Sequence, residues 1–386
     1  MKTKNLLLCS TAIAGAAMLA APAHAGQTQS GDNYSVSLGG RYDYSFHWYD
    51  QDVSTGKGRG YGVTGDEAEI YVRAKAKADN GITYGVNIEL NANGDDSGAT
   101  DEIIGYVENQ EAWGRFELGN NDSASDRMLV QADDVLAGRG GWDASEWEDT
   151  LNQGSALITS DNSRMSDATK LIYFTPRFAG FQLGVSHTPD SGVNGRATFL
   201  DNDGSFEKVW SFGGNWEGKV GDVGIIVSAT YEMGDSEVNT STAANSSANG
   251  GTSEEDLEVL GLGANLTFGG FAIGAGYVDF NDSGLTTAQV TGGRDAGKYY
   301  NVGAAYGMGP WKVSAGYFHS TISNTRPAAD TEADFYTLGF TYKLAPGWRI
   351  DSDLDIIQID NQNGGVGALA RDNDYMTLIV TNRFDF

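Results

Sequence analysis

The densest group of charged side chains lies between residues 120 and 168, which contain ten acidic residues and only three arginines. Carboxylates grouped in this way create a negative potential that attracts cations and orients polar molecules. This pattern favours an electrostatic role over a covalent one. The acidic residues that we assign to this role are Asp133, Asp134, Asp143, Glu146, Glu148 and Asp149.

Residues for covalent or metal chemistry are sparse. Beyond residue 25, the histidines His47, His187 and His319 lie on separate segments without a ligand partner at zinc spacing, and none has a convincing serine partner for a hydrolase. D-N-D-G-S at 201–205 begins like a calcium loop, but Phe212 stands at the twelfth position, where glutamate is needed. We expect no enzyme and no cofactor, with at most weak binding of divalent cations by acidic loops.

The first 25 residues have the three parts of an export signal. M-K-T-K is a basic start, an apolar run follows, and A-H-A precedes Gly26 as a cleavage site. The apolar run is short for a membrane-spanning helix. We therefore predict a signal peptide at residues 1–25 and one domain at residues 26–386. Because Cys9 lies in the signal, the exported chain has no cysteine and no disulfide.

The exported chain is strongly acidic. Loss of Lys2 and Lys4 with the signal leaves 23 basic side chains against 52 acidic ones. This imbalance disfavours nucleic acid or an anionic surface as a partner. The 53 glycines and the 11% of aromatic residues favour many strands and turns. No later stretch offers 18 uninterrupted apolar residues, so no helical membrane span is predicted.

Apolar and polar side chains alternate along most of the exported chain. In residues 35–48, Val36 and Leu38 have one parity, whereas Arg41 and Asp43 have the other. A strand directs alternate side chains to opposite faces, so each such segment has one apolar and one polar face. Sixteen strands are predicted, at 35–48, 68–78, 82–91, 101–109, 113–119, 169–176, 180–187, 206–216, 221–231, 257–268, 271–280, 298–306, 311–319, 333–343, 348–358 and 374–386.

Short and long connections alternate between these strands. Strands of about ten residues with this alternation are typical of outer-membrane barrels. A soluble β-sandwich explains the side-chain alternation equally well, but it does not explain the alternating loop lengths. Four tryptophans lie beside short turns, as in an interfacial belt: Trp113, Trp216, Trp311 and Trp348. The sequence thus favours an all-β, 16-stranded antiparallel transmembrane β-barrel, with its apolar face towards lipid and an interior too wide for side chains to fill.

Three stretches resemble motifs of Gram-negative general porins, in particular alphaproteobacterial outer-membrane porins. L-I-Y-F-T-P-R-F-A-G-F-Q-L-G-V-S-H at 171–187 resembles Tyr-x-(Ser/Thr)-Pro-x-Phe-x-Gly-Phe of that family. W-G-R-F-E-L-G-N at 113–120 is similar to the strand before the inward loop, although Asn120 and Asn121 stand where the family often has Arg-Gln. The C-terminal R-F-D-F resembles the barrel-assembly signal, with Asn382 as a small departure.

This resemblance implies a long third loop, residues 120–168, folded into the lumen. It also implies a homotrimer of water-filled pores in the cell outer membrane, in contact with lipid and lipopolysaccharide. The acidic loop would then face basic side chains that parity places on the water side, and opposed charges would orient polar solutes. These pore-wall residues are Arg41, Arg73, Lys75, Lys77 and Arg115.

The expected function is passive diffusion of ions and small hydrophilic solutes, with a preference for cations because acidic side chains dominate. The alternative within transport is a solute-selective, sugar-type channel. Trp142 and Trp147 are the only aromatic hints of one, and they could equally anchor the loop. A phosphate-selective channel would need lysines at the constriction, which the acidic loop contradicts. A hydrolase or a structural barrel is a further alternative without a supporting motif.

Overall fold

The computed structural model describes residues 26–30, 33–51, 60–92, 100–139, 142, 163–165, 167–192, 205–237, 255–325, 330–362 and 371–386. The predicted signal peptide lies outside the described residues. The described chain forms one sheet of 17 strands. Its strands are β1 (Gly26–Ser30), β2 (Tyr34–Gln51), β3 (Tyr61–Lys77), β4 (Thr83–Asn91), β5 (Ile103–Asn109), β6 (Gly114–Asn120), β7 (Thr169–Phe174), β8 (Phe181–Asp190), β9 (Phe206–Val220), β10 (Val223–Ser236), β11 (Leu257–Phe268), β12 (Phe271–Asp279), β13 (Lys298–Met308), β14 (Trp311–Ile322), β15 (Thr331–Ala345), β16 (Trp348–Gln362) and β17 (Arg371–Asp385).

The sixteen strands β2 to β17 close into an antiparallel barrel. Each pairs with the next along the chain, and the ring closes where Leu378 of β17 pairs with Trp48 of β2. The short β1 pairs with the start of β2. Closure gives the strands hydrogen-bonding partners on both sides, which a bilayer requires because lipid offers none. The predicted closed 16-stranded barrel is confirmed.

The alternating sequence produces opposite exposures on the two faces. Along β2, Tyr44 and Phe46 are 45% and 42% exposed, whereas Asp43 and Ser45 are 1% and 0% exposed. A water-soluble fold would bury the aromatic residues and expose the polar ones. The inversion therefore places the apolar face on the outside of the barrel, where it can meet lipid.

The short connections are tight turns at one end of the barrel. Residues 79–81 join β3 to β4, and Gly81 has a φ of +84°, which glycine adopts without a Cβ clash. Several predicted boundaries shift by a few residues. β3 begins at Tyr61 rather than at residue 68, β5 begins at Ile103 rather than at residue 101, and β9 continues to Val220, beyond the predicted end at 216.

The hydrophobic core lies between the inner wall and the connection that follows β6. This connection contains helix α1 (Ala124–Met128) and a 3-10 turn at Asp133–Val135. Helix α2 (Thr287–Thr291) lies between β12 and β13. The core groups Leu129 and Leu136 of the connection with inner-wall residues such as Phe318. Among the described residues, no helix is long and apolar enough to cross a bilayer.

Candidate functional site in the barrel interior

Residues 121–139, here called the inner segment, lie against the inner wall of the barrel. Seven of its backbone N–H groups donate to wall side chains, each on a different strand from β8 to β16. The pairs are Ala124 to Ser186 Oγ (3.0 Å), Ser125 to Ser211 Oγ (2.8 Å), Val130 to Ser228 Oγ (3.0 Å), Ala132 to Asn301 Oδ1 (3.1 Å), Ala137 to Ser314 Oγ (2.8 Å), Gly138 to Thr341 Oγ1 (2.9 Å) and Arg139 to Asp353 Oδ2 (2.7 Å). Because buried backbone donors need acceptors, these side chains fix the path of the segment.

Glycines line the wall beneath the inner segment. A Cβ atom at Gly274 would lie 2.7 Å from the Cα atom of Ala132, and one at Gly213 would lie 2.8 Å from the carbonyl oxygen of Ala124, both backbone atoms and both closer than a Cβ atom tolerates. The inner segment can therefore approach the sheet only because these positions lack side chains. The glycine track comprises Gly184, Gly213, Gly261, Gly263, Gly274, Gly276, Gly303, Gly316 and Gly339.

The glycine track was not predicted from the sequence, although the sequence carries a signal for it. In β11 and β12, Leu262 and Ile273 face outwards, so parity places Gly261, Gly263 and Gly274 on the inner face. Several inward glycines on successive strands indicate that another part of the chain packs there. The sequence does not reveal which part, because the inner segment lies more than a hundred residues earlier.

Trp142 anchors the chain just beyond the inner segment. Its side chain is 1% exposed, its Nε1–H donates to Thr337 Oγ1 at 3.0 Å, and its ring centroid lies 5.7 Å from that of Phe318. This position agrees with the first of the two roles that the sequence allowed for Trp142, which is to anchor the loop. Little of the indole surface is accessible for contact with a passing solute. Trp147 lies outside the described residues.

Glu232 of β10 joins the two ends of the long connection. It is 0% exposed. Its Oε1 accepts from Ser125 Oγ (3.2 Å) and Ser163 Oγ (3.1 Å), and its Oε2 accepts from the backbone N–H of Arg164 (3.1 Å). A buried carboxylate requires such donors. Glu232 therefore fastens residues nearly forty positions apart to the same point on the wall.

Two arginines converge on Glu117 of β6. Arg115, also on β6, pairs with Glu117, and Arg127 of α1 reaches the same carboxylate with its Nη2 atom at 3.3 Å. Arg115 additionally pairs with Glu108 at 3.1 Å, and its guanidinium carbon lies 3.8 Å from the ring centroid of Tyr106. These contacts hold fixed charges of both signs at the wall.

A cavity of about 970 Å³ lies between the inner segment and the wall. It brings together three of the predicted basic residues, Arg73, Lys75 and Arg115, with Asp134 of the predicted acidic set. Within the described chain, its lining includes seven basic and seven acidic side chains. The basic ones are Arg73, Lys75, Arg115, Arg127, Arg177, Lys312 and Lys343; the acidic ones are Glu89, Glu102, Glu108, Asp122, Asp126, Asp134 and Glu217.

The remaining predicted site residues have varied positions. Arg41 is 7% exposed and does not line this cavity; it pairs with Asp43 (Nε to Oδ2, 2.9 Å) and lies 3.7 Å from Glu67. Lys77 is exposed at the end of β3, and Asp133 is half-buried beside the cavity-lining Asp134. Four residues of the acidic set lie outside the described residues: Asp143, Glu146, Glu148 and Asp149.

Carboxylates cluster where the connection before β5 meets the inner segment. Burial, helped by the negative charge of Asp167, raises the pKa of Asp101 to about 6. Burial and the nearby charge of Asp122 also raise the pKa of Glu102. Within the described chain, the sets whose oxygens lie within 4.8 Å of one another, and which have the ligand type for a divalent cation, are Glu69, Glu89 and Asp101, and Glu102, Asp122 and Asp167.

The barrel, its inner segment and its charged interior agree with a comparison against protein families. The model of the Gram-negative porin family matches residues 10–363. The chain belongs to the Gram-negative porin family. Its closed barrel is accordingly that of an outer-membrane porin channel, and family and fold favour a channel over an enzyme.

Curated relatives of this porin include two uncharacterized rickettsial proteins. That of Rickettsia conorii is 26% identical over 331 residues, covering 70% of this porin and 73% of the relative. That of Rickettsia prowazekii is 28% identical over 295 residues, covering 61% and 65% respectively. This porin thus spans about two thirds of the second relative's length.

Solved structures with a similar fold are also porins and outer-membrane proteins. The anion-selective porin from Comamonas acidovorans has a TM-score of 0.60 at 18% identity, covering 92% of this porin and all of that chain. A loop-deletion mutant of the outer-membrane protein OmpT of Vibrio cholerae has a TM-score of 0.59 at 14% identity, with coverages of 92% and 100%. A mutant of the Rh. blastica porin has a TM-score of 0.56 at 18% identity, with coverages of 91% and 100%. At these identities the likeness concerns the fold alone.

Proposed function

We propose that this porin is a water-filled channel for passive diffusion of ions and small hydrophilic solutes. The observation that carries the proposal is the charged cavity between the inner segment and strands β3 to β6. Its lining includes charges of both signs, and the carboxylates of the inner segment, Asp126 and Asp134, face a wall that includes Arg73 and Lys75. No covalent chemistry is needed for passage. The long third loop, residues 120–168, narrows the lumen in this proposal.

The cavity charges act on solutes through a transverse field. Arg73 and Lys75 project from β3, whereas Asp126 and Asp134 belong to the inner segment. The Debye length is about 8 Å at physiological ionic strength, so charges on both sides are felt across a narrow passage. A polar solute can align its dipole with this field and is stabilised by it. An apolar solute gains no electrostatic stabilisation from the field and loses hydration.

The proposed selectivity is a modest preference for cations. Acidic and basic side chains are balanced in the described cavity lining, seven of each. The excess of acidic residues in the whole chain then sets the sign, since the exported chain has 52 carboxylates and 23 basic groups. Asp143, Glu146, Glu148 and Asp149 are expected to add to that preference at the constriction.

A planar bilayer containing the purified porin tests this function. We expect stepwise conductance in KCl and a cation-selective reversal potential in a KCl gradient. Changing Asp133 and Asp134 to Asn should move the reversal potential towards zero, whereas the double change Lys75→Gln and Lys77→Gln should move it the other way. Absence of conductance from folded, inserted protein would reject the channel. Conductance with anion preference would reject only the assigned charge balance.

The proposal includes a homotrimer, a cleaved signal peptide and no required cofactor. An apolar groove on the outer face, lined by Val36, Ala74, Ala76, Tyr84 and Val86, supports close contact with another subunit, because the small side chains of Ala74 and Ala76 permit close approach of a second barrel. Native mass spectrometry in detergent measures the number of subunits and the mass of the processed chain. Three copies per particle, each starting at Gly26, are expected; a monomer or an uncleaved chain would reject the respective part.

A further inference from the structure

Three basic residues stand side by side on the inner wall near the short turns. Lys343 of β15 is the direct cross-strand partner of Arg349 of β16, and Arg349 is the direct partner of Arg383 of β17. We call these three residues the basic row. Their parity is that of Thr341 and Thr381, which are buried on the inner face, so the row faces the lumen.

Like charges in direct cross-strand register destabilise a sheet. Adjacent strands lie about 4.8 Å apart, so the row spans about 10 Å across three strands. Lys312 of β14 adds a fourth cation beside the row, since it lines the same cavity as Lys343; its Nζ–H donates to the carbonyl oxygen of Leu136 at 2.7 Å. The fold does not require four cations here, since polar uncharged residues would also suit a wet inner wall.

The acidic neighbours engage only part of the row. The Nε–H of Arg349 donates to Asp351 at 2.6 Å, and the Nε–H of Arg383 donates to Asp385 at 3.1 Å. Within the described chain, neither guanidinium uses its terminal nitrogens in a hydrogen bond to protein. Lys343 is exposed and has no ion pair among the described residues. Asp43 of β2 is the direct cross-strand partner of Arg383, although its carboxylate accepts from Arg41. The row and Lys312 therefore contribute four positive charges against three neighbouring carboxylates, those of Asp351, Asp385 and Asp43.

We infer that the basic row is a binding subsite for small multivalent oxyanions of the phosphate type, at the short-turn end of the channel. This inference rests on the proposed channel. Guanidinium groups bind oxyanions through paired N–H donors, and two adjacent forks with an ammonium beside them match an ion with several oxygens. A monovalent ion such as chloride gains much less binding free energy from the row. The row lies between the short turns and the wall residues Thr341 and Asp353, which hold Gly138 and Arg139 of the inner segment. The subsite therefore does not require lysines within the acidic loop itself.

Inorganic pyrophosphate is the probe for the experiment. Added on the short-turn side of single channels in KCl, it should reduce the current at lower concentration than when added on the other side. The paired change Arg349→Gln and Arg383→Gln should raise the half-blocking concentration about tenfold or more, as expected for loss of charge-assisted hydrogen bonds. Lys343→Gln, which removes no described hydrogen bond, should give a smaller increase with little risk to folding.

The matched control is Lys219→Gln, which removes a positive charge from the same end of the barrel at the end of β9. Equal effects of Lys219→Gln and Lys343→Gln would show general screening and overturn the subsite. Unchanged block in the arginine pair would also overturn it. Calorimetric titration of detergent-solubilised protein with pyrophosphate supplies a readout independent of conductance. Heat of pyrophosphate binding without channel activity would reject the proposed function and support the subsite. Conductance without block by pyrophosphate and without heat of binding would support the proposed function and reject the subsite.

Discussion

Gly263 and Val130 are in direct contact, with the carbonyl oxygen of Val130 in the space that a side chain at Gly263 would occupy. At the same place, the backbone N–H of Val130 donates to Ser228 Oγ on the neighbouring strand. The sheet therefore binds the inner segment through hydrogen bonds, and the glycine positions leave the space in which its backbone fits.

Gly263→Ala should displace the inner segment from the wall. The added methyl group cannot move the backbone carbonyl of Val130 without a shift of the whole segment, at a cost of about 1–3 kcal/mol. We expect a changed single-channel conductance and a lower thermal unfolding temperature. Gly105→Ala is the control, because nothing lies within 4 Å of the position of its Cβ atom. Identical behaviour of the two variants would disprove the close contact.

Glu232→Gln should loosen the long connection where it meets the wall. The carboxylate accepts from Ser163 with one oxygen and from Arg164 with the other, and glutamine keeps only one of these acceptors. The donor that faces the amide nitrogen then lacks its acceptor, and an unsatisfied buried polar group costs about 1–3 kcal/mol. Limited proteolysis of folded protein should show faster cleavage between residues 140 and 162. Glu258→Gln is the control, since Glu258 is exposed and its carboxylate accepts from the hydroxyl of Tyr231. Cleavage at the parent rate would argue against the clamp.

Lowering the pH from 7 to 5 should stabilise the junction around Asp101. Its pKa is raised to about 6, first by burial and then by the charges of Asp167 and Glu69, so folding favours the neutral carboxyl. Its contribution to stability is complete below its ordinary pKa of 3.8 and is lost as the pH rises through about 6. Thermal unfolding at both pH values measures the change.

Asp101→Asn should reduce that pH dependence, because the amide carries no titrating charge. Asp79→Asn, in an exposed turn, is the comparison variant. Glu102, Asp122 and the nearby Arg127 also act on this cluster, so part of the dependence should persist. If Asp101→Asn keeps the full pH dependence of the parent, the assignment to Asp101 is wrong.

Trp142→Phe separates the anchoring role from a sugar-type channel. Loss of the indole N–H removes the bond to Thr337, which costs about 1 kcal/mol, so we expect a lower unfolding temperature. Block of the current by maltose or sucrose should not change, because the ring is buried. Trp311→Phe, on the outer face, controls for loss of any tryptophan. A large change in sugar block would restore the solute-selective alternative.

The barrel could be predicted from sequence because each strand carries its own pattern. Parity placed Asp43 inwards and Phe46 outwards without knowledge of any other strand. The pairing of Arg41 with Glu67 could not be predicted, since it depends on the register between β2 and β3, which shifts beside Asp43. In the same way, the charges of the acidic loop were visible, but their distances from Arg73 and Lys75 depend on a path set by glycines on distant strands.

The pairing of β17 with β2 has a consequence for the order of folding. These neighbours are about 330 positions apart in the chain, so their contact has the highest sequence separation in the barrel and is entropically slow to form. Until that seam zips, two long strands expose unpaired N–H and C=O groups that lipid cannot satisfy and that other unfolded chains can capture. The chain with an open seam is therefore prone to aggregate, and the cell must protect it until the barrel closes. A substitution confined to the seam would lower the yield of closed barrels far more than it lowers the stability of the barrels that do close.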